Sequence, residues 1–134
     1  MFEESNHPKI SVLIPVYNVE KYVRRCLFSV LNQTMQEGVE VIIVNDCTPD
    51  HSMEEIFEAL RAYSGNERGE KMSVRVVNHD TNHGLAVVRN TAMNYATGDY
   101  VIHVDSDDWI EPDMLEKLYA CAMDTKADIV CCNI

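Results

Sequence analysis

Apolar runs and helical periodicity take turns along this chain. Residues 10–16, ISVLIPV, are β-rich and apolar, and after them Val19, Tyr22, Val23, Cys26, Leu27, Val30 and Leu31 recur at the spacing of an amphipathic helix. A second run, VEVIIVND at 39–46, barely alternates and so predicts a strand buried on both faces. Ser52 and Glu55 form a capping-box pair ahead of Met53, Ile56, Phe57, Leu60 and Tyr63, which predicts a second helix with those five residues inward. A polar loop (64–71) leads to a third strand, SVRVVN at 73–78. The third helix starts after Gly84 with Leu85, Val88, Ala92, Tyr95 and Ala96 inward, and TGD at 97–99 ends it. A fourth strand, YVIHVD at 100–105, precedes a helix opened by Pro112 with Met114, Leu115, Leu118 and Tyr119 buried. ADIVCCNI at 127–134 predicts a fifth strand.

Strict alternation of β and α elements implies an open, mainly parallel sheet with helices on both faces, an α/β fold. No internal repeat interrupts it. The length of 134 residues suits one domain, which reads as a tail at 1–9 followed by a domain at 10–134.

Composition narrows the partners. Apolar residues at 46% and charged residues at 25% are the balance of a soluble globular protein. The net charge of -11, with no basic run, disfavours nucleic acid, because binding to a phosphate backbone rests on clustered cations. The N-terminus has neither a basic nor an apolar leader region, the apolar runs are strand-length, and an acidic chain has no attraction to anionic lipid, so a cytoplasmic protein is expected. Five cysteines without CxxC spacing indicate neither a disulfide framework nor a zinc site, and read as buried thiols.

In an open parallel sheet, ligands bind beyond the carboxyl ends of the strands. Those ends read PVYN (15–18), NDCTPD (45–50), NHDTNHG (78–84) and DSDDW (105–109), so polar side chains from separate strands converge on one rim. DSDD alone is an ordinary solvated turn. Sharing a rim with Asp46 changes its meaning: at an effective dielectric near 20, two unit charges about 6 Å apart repel by roughly 3 kcal/mol before salt screening. A divalent cation would relieve this, and oxygen ligands without His or Cys suit Mg²⁺ or Mn²⁺. A calcium loop starting at Asp105 fails, because Trp109 and Ile110 fall where an oxygen ligand and the obligatory Gly belong. The glycines form no phosphate cradle, so a diphosphate in this crevice would need a metal bridge. Arg89, the permanent cation near the edge, could face phosphates or aspartates, or stand exposed on its helix.

Taken together, SVLIPVYNVEKYVRRCLFSVLNQT (11–34), EVIIVNDCTPD (40–50), NHGLAVVRNTAMNYATGDYV (82–101) and HVDSDDWIEPDMLEKL (103–118) resemble, in order, the nucleotide-sugar-binding half of a family 2 glycosyltransferase. That family is inverting and has the Rossmann-like GT-A fold. The resemblance implies that Pro15, Tyr17, Asn18 and Glu20 form the first nucleotide-contacting loop and that Asp46 hydrogen-bonds the base, usually uracil. Asp105, Ser106 and Asp107 match the DxD element, with Asp105 near the ribose and metal and Asp107 on the metal that bridges the donor diphosphate. Arg89 matches an arginine close to that site; Asp108 and Trp109 fit a common DDW without an assigned contact. The implied partners are a nucleoside diphosphate sugar, such as a UDP-sugar, a divalent Mn²⁺ or Mg²⁺, and a glycan or other hydroxyl acceptor, with cell-surface polysaccharide assembly a common role in such families.

Three departures shape the expectations. Cys47 and Thr48 stand where Asp-Gly-Ser is frequent, and without Gly a positive φ is harder to reach, so the loop around Asp46 is expected to run differently. His103 reads as a satisfied core histidine. Members of the family continue into an acceptor-binding half that carries the catalytic carboxylate, so this sequence reads as truncated before that half, with its base expected beyond Ile134. A binding module without turnover is the alternative. A phosphoryl-transfer domain is the remote one, since it needs an acidic residue where the first strand ends in PVYN.

Overall fold

A computed structural model of the chain describes residues 7–64 and 72–131. The elements are β1 (Ile10–Val16), α1 (Val23–Leu31), β2 (Val39–Asn45), α2 (Ser52–Ser64), β3 (Ser73–Asn78), α3 (Leu85–Tyr95), β4 (Tyr100–His103) and α4 (Met114–Thr125). The sheet has the order β3-β2-β1-β4, and every pairing is parallel. This is the expected open α/β architecture with alternating strands and helices.

The central strands explain the near-continuous apolar runs. Alternate residues of β1 and β2 feed opposite layers. Val12, Ile14, Val16, Val41 and Ile43 join the larger core with Leu27, Leu31, Ile56 and Leu115 from α1, α2 and α4. Leu13, Ile42 and Val44 face the other way, onto Val88 and Ala92 of α3. Each such fully buried aliphatic side chain contributes about 1.5–3 kcal/mol, so the two central strands anchor the fold and the rim loops can serve binding.

Several inward faces differ from those the periodicity predicts. On α2, Ala59 is buried whereas Phe57 is 48% exposed. On α3, Leu85 and Tyr95 are exposed and only Val88 and Ala92 are buried, because one helix covers that layer and needs only a narrow apolar stripe. On α4, Leu115 is fully buried, while Met114 and Tyr119 are partly buried against the core. The capping box at Ser52 and Glu55 is not formed. Ser52 Oγ instead accepts a hydrogen bond from Val19 N and donates to Asp50, and Glu55 pairs with Arg24.

Residues 127–131 of the expected fifth strand join no sheet among the described residues. Lys126, with φ 57°, ends α4 in a left-handed turn. The following residues stand off from β4 across a hollow of about 470 Å³ lined by Tyr100, Ile102, Ile129 and Val130. Tyr100 Oη donates to Ala127 O at 2.6 Å, but one side-chain bond is not a ladder. Residues 132–134, and most of the polar loop at 64–71, lie outside the described residues.

Candidate functional site

The chain runs from β1 to β2 to β3 in one direction across the sheet and then crosses to β4 on the other side of β1, so the topological switch point lies between β1 and β4. A crevice opens there, as the rule for open sheets requires. Pairing of β4 with β1 ends at Leu13 and His103, whereas β1 continues against β2 to Val16. Pro15, which has no N–H to donate, therefore sits where the ladder toward β4 has already stopped. The crevice has a volume of about 410 Å³ and is lined by Pro15, Tyr17, Asp46, Gly84, Asp105, Ser106 and Asp107, among others.

Asp46 is buried at its wall, with its side chain 3% exposed. Its Oδ1 accepts hydrogen bonds from His79 Nδ1 and His83 N, both at 2.9 Å, and its Oδ2 accepts one from Gly84 N at 2.9 Å. Burial alone would raise its pKa; the three hydrogen bonds outweigh that and hold it below the usual carboxylate range. The carboxylate also faces the start of α3, where the positive end of the helix dipole favours an anion. Gly84, at φ 92°, turns the chain so that its amide can reach Asp46 before the helix begins.

The next residue, Cys47, takes a positive φ of 58° although it is not glycine. The loop is held in place by Asp46 N to Val16 O at 3.0 Å and by Thr48 N to Asn45 Oδ1 at 2.9 Å. The left-handed conformation expected to be lost with glycine is thus adopted, at a cost of about 1–2 kcal/mol.

DSDD is a turn as well as a charge cluster. Asp108 N donates to Asp105 O at 3.0 Å, which closes the turn. Closure brings one oxygen each of Asp105, Asp107 and Asp108 to within 4.8 Å of one another, all on exposed side chains. Arg89 Nη2 lies 2.9 Å from Asp105 Oδ1, so the arginine faces the aspartates. The guanidinium Nε is buried without a partner among the described residues. Three oxygen donors with no His or Cys among them fit a hard divalent cation such as Mg²⁺ or Mn²⁺. Asp108, left without a role by the sequence, is the third carboxylate of the cluster.

The turn rests on α1. Ser29 Oγ accepts from Ile110 N at 3.1 Å. Gln33, fully buried, donates to Ser29 O and Glu111 O and accepts from Leu115 N. On the far side of the turn a wider hollow of about 760 Å³, lined by Arg25, His103, Asp105, Asp108, Trp109 and Lys117, adjoins the same carboxylates.

Residues 11–134 match the family model described as glycosyl transferase family 2. The chain belongs to that family. Glycosyltransferase GlyA of Streptococcus pneumoniae is 41% identical over 126 residues, a match covering 93% of this chain and 16% of GlyA. Among solved structures, S. aureus TarS (residues 1–349) in complex with UDP-GlcNAc aligns at 34% identity with a TM-score of 0.78, covering 90% of this chain and 32% of that one. The mannosyltransferase PcManGT of Pyrobaculum calidifontis, solved with GDP-Man and Mn²⁺, shares the fold at a TM-score of 0.63 and 24% identity, over 76% of this chain and 28% of that one. The chain therefore spans a third or less of the length of these relatives.

In this family 2 domain, six of the nine residues singled out for nucleotide-sugar binding line the crevice: Pro15, Tyr17, Asp46, Asp105, Ser106 and Asp107. Arg89 reaches the cluster from α3 without lining the crevice. Asn18 and Glu20 are engaged elsewhere. Asn18, at φ 56°, donates its amide to Thr48 Oγ1 at 2.8 Å. Glu20 accepts from His51 N at 2.8 Å, and its own amide donates to Asp50, which stitches the β1 loop to the start of α2.

His103 is exposed, not a core residue, because β4 is an edge strand in the described residues and its side chain lines the wider hollow beside it. Of the four described cysteines only Cys26 is buried; Cys47, Cys121 and Cys131 are exposed, because they fall on a rim loop, an outer helix face and the segment after α4. His79, Thr91 and Gln33 were not legible as site residues. The only signal in sequence was that His79 falls in a polar strand end, since its meaning depends on Asp46 arriving from another strand. No described helix is long and apolar enough to cross a membrane.

Proposed function

We propose that this chain is the donor-binding part of a glycosyltransferase. It holds a nucleoside diphosphate sugar, with UDP as the nucleotide, for inverting transfer to a hydroxyl acceptor in polysaccharide or glycoconjugate synthesis. The observation that carries this reading is the convergence of buried Asp46 with the carboxylates of Asp105 and Asp107 around one crevice at the switch point, with Asp108 clustered beside them. UDP-GlcNAc in the related TarS supports the choice of nucleotide.

Tyr17, 45% exposed, offers an aromatic face for the base, and Asp46 accepts a base N–H. Asp105 and Asp107, joined by Asp108, hold a Mn²⁺ or Mg²⁺ ion, and Arg89 adds a fixed positive charge beside them. Without such cations a diphosphate could not approach a chain of net charge -11. When bound, the ion supplies charge stabilisation for the departing nucleoside diphosphate. Attack by an acceptor oxygen on the anomeric carbon, from the face opposite the leaving group, gives inversion. The general base for that hydroxyl is expected beyond Ile134.

Calorimetric titration of UDP into the protein with Mn²⁺ tests this. Binding that requires Mn²⁺ and is lost in Asp107→Asn is the expected result; absence of heat in the wild type, or unchanged binding in the variant, overturns it.

A further inference from the structure

Asp46 does not stand alone. His79 joins it through Nδ1 at 2.9 Å, and His79 Nε2 lies 2.9 Å from Thr91 Oγ1 on α3. A carboxylate can only accept, so the Nδ1 bond requires a proton on that nitrogen. In the neutral ring Nε2 is then an acceptor, which Thr91 satisfies by donating its hydroxyl proton. The histidine side chain is 12% exposed, and its ring packs edge-on against His83 at a centroid distance of 5.0 Å. His79, just past the end of β3, thus has its imidazole fixed by three other elements: the loop after β2, the loop before α3, and α3 itself.

The consequence falls on the open lone pairs of Asp46. Its Oδ1 takes two donors, His79 and the His83 amide, and is filled, whereas Oδ2 takes one, from Gly84, and keeps one acceptor site. Resting on the nucleotide-binding reading above, we infer that His79, oriented by Thr91, is a positioning residue that sets base specificity. By saturating one carboxylate oxygen it leaves Asp46 a single directed acceptor, suited to the ring N–H of a uracil-type base and opposed to cytosine. Uracil presents N3–H, a donor. Cytosine presents a lone pair at the same ring position, which would meet the lone pair of the carboxylate.

The test is titration of the full chain, with Mn²⁺, against UDP, CDP and inorganic pyrophosphate in parallel. Wild-type protein is expected to bind UDP at least about ten-fold more tightly than CDP, the scale of one buried hydrogen bond to a charged group. In His79→Leu the UDP to CDP ratio falls toward one while pyrophosphate binding stays at the wild-type value, which also shows that the variant is folded. His79→Asn, whose amide nitrogen can take the place of Nδ1, restores the preference, and Thr91→Val lowers it part-way. A His79→Leu protein that keeps the wild-type ratio overturns the role of His79, as does a His79→Asn protein no better than His79→Leu. Failure of wild-type protein to bind UDP overturns the nucleotide reading itself, and this inference with it.

Discussion

Arg89 Nη2 sits 2.9 Å from Asp105 Oδ1, so α3 is tied to the turn that follows β4. The two side chains are 40% and 48% exposed. A pair this open is worth less than about 1 kcal/mol to stability. Arg89→Ala should therefore shift the melting temperature by under about 5 °C, yet weaken binding of UDP with Mn²⁺ about ten-fold or more, because a fixed cation is lost beside the diphosphate. Calorimetry and thermal melts on the same sample separate the two effects; an unchanged affinity would take Arg89 out of the site.

At Gly98 the backbone passes close against the start of β1. A Cβ there would lie 2.7 Å from Ser11 Oγ, 2.8 Å from Ser11 N and 2.9 Å from Ile10 C. Two of those three atoms belong to the backbone of β1, which is paired on both sides and cannot yield. Gly98→Ala should also disturb the bond from Gly98 N to Ser11 Oγ. The expected loss is about 1–3 kcal/mol, read as a lower urea midpoint at unchanged slope.

Asp50 holds the rim loops together and gives a pH signature. Burial alone would raise its pKa, but hydrogen bonds from the hydroxyls of Ser52 and Thr48 and from the amides of Ser52 and Glu20 bring it down from 3.8 to about 2. Between those values the unfolded chain binds the proton and the folded one does not, so unfolding takes up a proton. The contribution is fully present above pH 3.8 and is lost as the pH falls through about 2. Asp50→Asn should flatten stability against pH in that window and cost about 1–2 kcal/mol at neutral pH. Urea titrations at several acid pH values check both; an unaltered slope would mean that Asp50 is not the group responsible.

Cys26 should resist alkylation in the folded protein. Burial, with Asp108, Asp107 and Asp105 nearby, pushes its pKa up to about 12, so almost no thiolate exists at neutral pH. Cys47, Cys121 and Cys131 are exposed and should react first with iodoacetamide. Peptide mass spectrometry after brief labelling reports the order, and early labelling of Cys26 would show that the floor beneath the acidic turn opens readily.

Much of the fold was legible because its signals are local. The unbroken apolar stretches of β1 and β2 announce strands covered on both faces; of the seven residues whose spacing announces α1, Val23, Cys26, Leu27, Val30 and Leu31 are its five buried residues, whereas Val19 and Tyr22 precede the helix and Tyr22 is exposed. The faces of α2 and α3 were less legible, since which residues turn inward depends on how many helices share a layer. Ser52 misled for a related reason: its hydroxyl found Val19, an approach that a capping pattern cannot reveal.

The site divides along the same line. By itself the sequence determined that polar residues gather where strands end, that three aspartates follow β4, and that the chain carries the ordered motifs of its family. Only tertiary structure decided that Asp108 joins Asp105 and Asp107, that Arg89 turns to the aspartates, that Glu20 serves the loop, and that His79 and Thr91 stand behind Asp46. Motifs are set by neighbours along the chain. Hydrogen bonds between residues on different elements, twelve or more positions apart, are set by how the parallel strands register and the helices pack on them, and that arrangement exists only once the core has packed.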